Sequence, residues 1–130
     1  MIPLGPGFRT VLVVEDADIC SATLEVALDR IPGVVVKSAA SSERSLEILD
    51  RQEISALITD LHLPNMDGME LVARVRALPA GARMPILVIS GDADPRTPER
   101  ALRAGANAFF AKPYSPAAVR QKLETLLNAG

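Results

Sequence analysis

The sequence predicts an α/β domain built on a parallel sheet, and three observations predict it. Five short apolar runs recur: Val11–Val14, Val34–Val36, Ala56–Ile58, Ile86–Ile89 and Ala108–Ala111, starting at intervals of 23, 22, 30 and 22 residues. Each is continuous rather than alternating, the pattern of a strand covered on both faces. Apolar residues between the runs have helical spacing, and turn or capping residues mark the seams. Strand and helix therefore alternate five times, and helices on both faces of the sheet would leave every strand run fully apolar.

In chain order, Val11–Val14 is the first strand. Cys20, Leu24, Ala27, Leu28 and Ile31 follow at i, i+4, i+7, i+8 and i+11, one stripe of a helix. After the second strand, Ser41 or Ser42 is placed to cap a helix carrying Leu46 and Leu49. The third run, Ala56–Ile58, precedes a stripe of Leu71, Val75 and Leu78. After the fourth run, Thr97-Pro98 has the form of an N-cap followed by the first helical residue, and Gly105 is placed to end that helix. After the fifth run, Pro116 opens a last helix with Val119, Leu123, Leu126 and Leu127 on one side. These stripes are core positions. Residues 1–8, rich in proline and glycine, are expected to be a loose lead-in, and residues 9–130 a single domain.

A chain of 130 residues buries roughly two-thirds of its unfolded surface and needs no staple. With 48% hydrophobic and 23% charged residues it has the composition of a globular protein, not of a disordered one. A single cysteine, Cys20, excludes an internal disulfide framework, and with His62 the only histidine, a Cys/His metal site is excluded too. No apolar run approaches the roughly 20 residues of a spanning helix, and Met1–Phe8 lacks the form of a signal peptide. Cytoplasm is the expected location. The net charge of -2 hides an uneven distribution: residues 15–70 carry a net of -8, residues 71–130 a net of +5, and Arg9 the rest. No like-charge block is long enough to be a tail.

Open α/β sheets bind ligands outside the carboxyl ends of their strands. Directly after the apolar runs stand Glu15 and Asp16, Thr59 and Asp60, Ser90 and Gly91, and Lys112 and Pro113. Any one of these alone is a helix cap or loop residue. Together they bring three carboxylates, a hydroxyl and an ammonium to one edge. Three carboxylates held about 4 Å apart repel by up to about 4 kcal/mol per pair at an effective dielectric near 20, so the cluster calls for a cation. Oxygen-only ligation suggests Mg²⁺, which shares its shell with phosphate. Lys112 and Ser90 are then phosphate partners, and Asp60, ending the central run, is the best nucleophile, with Asp16 and Glu15 holding the metal.

The motifs Val13-Val14-Glu15-Asp16, Asp60-Leu61-His62-Leu63-Pro64-Asn65-Met66-Asp67-Gly68-Met69-Glu70-Leu71, Val88-Ile89-Ser90-Gly91 and Gly105-Ala106-Asn107-Ala108-Phe109-Phe110-Ala111-Lys112-Pro113 resemble, in order, those of the response-regulator receiver domains of two-component signalling. The resemblance covers about residues 9–128. It implies a flavodoxin-like (βα)5 three-layer sandwich with strand order 2-1-3-4-5. It also implies that Asp60 accepts a phosphoryl group from a histidine kinase or phosphotransfer protein. Mg²⁺ would be ligated by Asp16, Asp60 and the backbone carbonyl of His62, with Glu15, where Asp is commoner, acting through the metal's water shell. Lys112 would pair with the acyl phosphate across a bond to Pro113 that is usually cis in the family. Ser90 would move toward the phosphate and Phe109 would be the switch aromatic. Gly91 would leave room above the phosphate, and His62 and Asp92, at variable positions, would tune hydrolysis.

A phosphoryl group adds roughly -1.5 to -2 charge. Donation from Ser90 would draw its loop inward, open space for Phe109, and reshape the face formed by the fourth helix, fifth strand and fifth helix. That face carries Arg96, Arg100, Arg103, Arg120 and Lys122. It is either a solvated basic face or the surface for a downstream protein or a dimer partner. Direct nucleic-acid binding and membrane association are not expected, since no helix-turn-helix remains after five βα units. Three other readings are weaker. A phosphatase with an Asp nucleophile would carry a second Asp where His62 stands. A receiver that only binds partners would lack Asp60, Asp16 or Lys112. A nucleotide or flavin binder would need a Gly-rich loop after Val14.

Overall fold

A computed structural model describes residues 8–15 and 18–129. Five strands, β1 (Arg9–Val14), β2 (Val34–Ala39), β3 (Ala56–Asp60), β4 (Ile86–Ser90) and β5 (Ala108–Ala111), alternate with five helices. The helices are α1 (Asp18–Leu28), α2 (Ser42–Arg51), α3 (Gly68–Ala77), α4 (Thr97–Ala104) and α5 (Pro116–Ala129). All strand pairs are parallel, in the order β2-β1-β3-β4-β5. Strand and helix alternate along the chain, so consecutive strands are joined by helical crossovers.

Side chains alternate across the sheet and feed two cores. Leu12, Val14, Leu57, Ile86 and Val88 pack with Ile48, Leu71, Val72, Val75 and Ala101 beneath α2, α3 and α4. Val11, Val13, Ile58, Leu87 and Ile89 pack with Leu24, Leu28, Val119, Leu123 and Leu127 beneath α1 and α5. The layers are thus helix, sheet, helix. β1, β3 and β4, in the middle, are apolar on both faces for that reason. The expectation of full burial fails at both edge strands: burial in β2 alternates, with Val35 38% exposed, and in β5 only Ala108 is buried while Ala111 is exposed. Each edge strand has one neighbour, so an apolar run does not by itself imply two covered faces.

Two further expectations are corrected. Leu78 is not a core position of the α3 stripe: it is the residue after the helix and is 39% exposed. It lines a groove of about 710 Å³ with Leu46 and Leu49 of α2. Thr97 is not the N-cap of α4. Arg96 takes that place without a side-chain cap bond, and Thr97 is the first helical residue, 1% exposed. Ser41, of the two candidate caps, is the one that caps α2, accepting from the Arg44 N–H at 3.1 Å. Gly105 ends α4 at φ 122°, a conformation that favours glycine. The lead-in assigned to the N-terminus lies, through Gly7, outside the described residues, as do Asp16 and the side chain of Cys20.

Candidate functional site

Parallel pairing places the ends of β3, β4 and β5 side by side. Asp60 is opposite Ile89 in the register, and Ser90 is opposite Ala111. Glu15 follows β1 at the same edge, and its N–H donates to the Ala39 carbonyl of β2 at 3.0 Å. Lys112 follows β5, its N–H donating to the Ser90 carbonyl at 2.8 Å, and the bond to Pro113 is cis.

Asp60 is 6% exposed, and both carboxylate oxygens are engaged. Oδ2 is 2.5 Å from Lys112 Nζ, and Oδ1 accepts from the His62 N–H at 3.1 Å. Lys112 Nζ also lies 4.0 Å from Glu15 Oε1, whose side chain is only 5% exposed. One ammonium therefore faces two largely desolvated carboxylates. The cluster keeps excess negative charge and oxygen donors, the donor chemistry of a hard cation such as Mg²⁺. Among the described residues no three Asp, Glu, His or Cys side chains form a group able to hold a metal. The third carboxylate assigned from the sequence, Asp16, is outside the described residues.

Ser90 is fully buried, and its Oγ accepts from the Asp92 N–H at 2.9 Å. A hydroxyl oxygen that accepts still has its own proton to donate. A Cβ added at Gly91 would meet only Cβ and Cδ of the Lys112 side chain, at 3.9 Å, an ordinary contact. Phe109 is half-buried and packs with the core beneath α2, α3 and α4, while the next residue, Phe110, packs with the opposite core. His62 Nε2 is 4.0 Å from Asp92 Oδ2, so the two residues expected to tune hydrolysis meet beside the site.

The β3–α3 loop is held by residues whose part is not evident from the sequence. Asp67 caps α3, accepting from the Glu70 N–H at 2.9 Å. The Asp-x-x-Glu spacing was the available signal. Ser42 is buried and donates to the Met66 carbonyl at 2.8 Å, tying α2 to the loop. Gly68 donates to the Leu61 carbonyl at 2.8 Å, and a Cβ there would lie 2.4 Å from the Asp60 carbonyl oxygen. Asn65 takes a left-handed φ of 66°, which Asn tolerates better than most residues.

The sequence profile of the family described as response regulator receiver domain matches residues 11–124. The chain belongs to the response-regulator receiver family. This receiver domain is 32% identical over 120 residues to a chemotaxis protein CheY homolog of Campylobacter jejuni, covering 92% of each chain. It is 32% identical over 118 residues to chemotaxis protein CheY1 of Helicobacter pylori, covering 90% of this chain and 95% of that one. Among solved structures, a candidate response regulator from Chloroflexus aurantiacus superposes with a TM-score of 0.86 at 35% identity, covering 93% of this chain and 98% of that chain. The receiver domain of the Pseudomonas aeruginosa sensor histidine kinase PA1611 superposes with a TM-score of 0.82 at 28% identity, covering 93% and 98%. That structure has a magnesium ion coordinated in its active-site cleft.

On the face formed by α4, β5 and α5, the side chains of Arg96 and Arg103 are 80% and 77% exposed, beside the exposed Leu102. Arg96 is paired with Asp94 at 3.0 Å and Arg103 with Glu99 at 2.7 Å. Hydrogen bonds from Arg96 hold the Asp94 carboxyl below its ordinary pKa. Arg120 is largely covered, with Nε 3.4 Å from Glu124 Oε1, so it is the least available of the five basic residues assigned to this face. No helix among the described residues is long and apolar enough to cross a membrane.

Proposed function

We propose that this receiver domain accepts a phosphoryl group on Asp60 from a phosphohistidine of a kinase or phosphotransfer protein. An Asp60 carboxylate oxygen attacks phosphorus, the P–N bond breaks, and its electron pair stays on the imidazole nitrogen of the donor. One observation carries the reading: the buried Asp60 carboxylate ends the central strand with Lys112 Nζ 2.5 Å from its Oδ2. The ammonium is already where phosphoryl oxygens would carry charge, so little reorganisation is needed.

Glu15, Asp16, Asp60 and the His62 carbonyl are the groups that would hold Mg²⁺. The ion would supply charge neutralisation to the transferring group. Support comes from the two desolvated carboxylates at this edge and from the magnesium described for the Pseudomonas aeruginosa receiver. The chain's own chemistry ends at Asp60, with hydrolysis of the acyl phosphate restoring the carboxylate. His62 and Asp92 flank the path by which water would reach it.

Residues 9–130 act as one cytoplasmic switching module. Ser90 donates to a phosphoryl oxygen, Phe109 packs further inward, and the α4-β5-α5 face presents a changed surface to a downstream protein, an output domain or a second copy. The test is intact mass after incubation with Mg²⁺ and acetyl phosphate. Wild type gains one phosphoryl group and Asp60→Asn gains none. An unlabelled wild type, or a labelled variant, overturns the assignment.

A further inference from the structure

The first turn of α4 is held differently from those of α2 and α3. α2 and α3 are capped by the residue before them, Ser41 and Asp67. The N-cap of α4, Arg96, makes no such bond. Its first turn is held instead by a carboxylate five residues upstream of Thr97. Asp92 Oδ2 accepts from Thr97 Oγ1 at 3.2 Å, and Asp92 Oδ1 accepts from the Asp94 N–H at 2.8 Å. The Asp94 carbonyl in turn accepts from the Thr97 N–H at 3.1 Å. Asp92 thus holds Thr97 twice, directly and through Asp94. At its other end, the Asp92 N–H donates to Ser90 Oγ.

We propose that Asp92 and Thr97 are positioning residues that carry the state of the Asp60 site to α4. The inference rests on the reading of Ser90 as the hydroxyl that turns to the phosphoryl group. Ser90 Oγ accepts from Asp92 with a lone pair and keeps its proton for the phosphoryl oxygen, so it need not release Asp92 as it moves. Displacement of Oγ then draws the Asp92 backbone, and the Asp92 carboxylate draws Thr97. Thr97 is 1% exposed, so the helix cannot leave its hydroxyl behind in water. This link runs through the loop and is separate from the Phe109 side chain, which reports from β5.

The experiment uses the full chain in three forms, wild type, Thr97→Val and Thr97→Ser, with amide shifts recorded before and after phosphorylation by acetyl phosphate and Mg²⁺. Thr97→Val keeps the side-chain shape and removes the hydroxyl. All three forms gain one phosphoryl group by mass. In Thr97→Val the phosphorylation-induced shift changes of residues 97–104 fall several-fold, that of the Phe109 amide persists, and Thr97→Ser restores the helix response. Thr97→Ala, which adds no methyl toward Asp92, gives the same loss. Wild-type shift changes in Thr97→Val, or failure of Thr97→Ser to restore them, overturn the link while leaving phosphorylation at Asp60 standing. A wild type that gains no phosphoryl mass overturns the function reading and the link with it.

Discussion

Lys112 Nζ lies 2.5 Å from Asp60 Oδ2, joining two residues 52 positions apart in the chain. The same ammonium is 4.0 Å from Glu15 Oε1, so one cation balances two nearly buried carboxylates. Lys112→Met would leave both carboxylates without it. Because the Lys112 side chain is 27% exposed, water screens part of the loss, and a destabilisation of about 1–2 kcal/mol at pH 7 is expected. Urea unfolding of variant and wild type at pH 7 measures the difference. Equal denaturant midpoints would contradict the pairing.

Gly68 has no room for a side chain. Its Cβ would lie 2.4 Å from the Asp60 carbonyl oxygen and 2.8 Å from Leu61 Cα, both backbone atoms that cannot rotate away. Gly68→Ala should cost about 1–3 kcal/mol, an ordinary overpacking penalty. Displacing the end of β3 should also slow phosphoryl uptake. Gly91→Ala, with only ordinary contacts to Lys112, should leave stability within about 0.5 kcal/mol of wild type. Denaturant midpoints of the two variants give the comparison.

Arg76 on α3 donates to the carbonyls of Gly81 (2.7 Å), Met84 (2.6 Å) and Gly105 (2.9 Å), and to Asn107 Oδ1 (2.9 Å). Asn107 Oδ1 also accepts from the Ile86 N–H at 2.8 Å, so one guanidinium joins the entries to β4 and β5. Burial lowers the Arg76 pKa, a cost these acceptors offset. Arg76→Met removes them together and should destabilise by about 3 kcal/mol. Arg103→Ala breaks only an exposed pair with Glu99 and should cost under about 0.5 kcal/mol. Equal losses in the two variants would show that the Arg76 network contributes no more than a surface pair.

Removal of divalent metal should abolish phosphoryl uptake without unfolding the chain. Binding to the folded state alone stabilises by RT ln(1 + [L]/Kd), about 1.4 kcal/mol at ten times Kd, so Mg²⁺ should raise the thermal midpoint of wild type. Asp60→Ala should lose most of that increment. A Mg²⁺-induced shift that survives in Asp60→Ala would place the ion elsewhere.

Much of this architecture is legible in the sequence because apolar runs and helical stripes report burial directly. The runs at β3 and β4 fall short of the observed strands by two residues and one, and the missing residues include the polar Asp60 and Ser90. Function thus sits where the apolar signal stops. The error at β2 has a physical cause: Val34–Val36 is apolar whether one face is covered or two. The parts played by Arg76, Ser42 and Asp92 were not legible. Their partners are backbone carbonyls, an amide oxygen, a backbone N–H and hydroxyls brought near by the fold, and such partners leave no pattern of residue types. Asp60, Lys112, Ser90 and Glu15 were legible as a set because parallel topology brings all strand ends to one edge.

The central claim, that Asp60 accepts the phosphoryl group, is tested most directly by trapping the acyl phosphate. After incubation with Mg²⁺ and acetyl phosphate, borohydride reduces an aspartyl phosphate to homoserine, and peptide mass spectrometry locates the change. The account predicts homoserine at residue 60 and at no other aspartate, and none when acetyl phosphate is left out. Homoserine at a different position, or an unreduced Asp60 in protein that carries the phosphoryl mass, would contradict it.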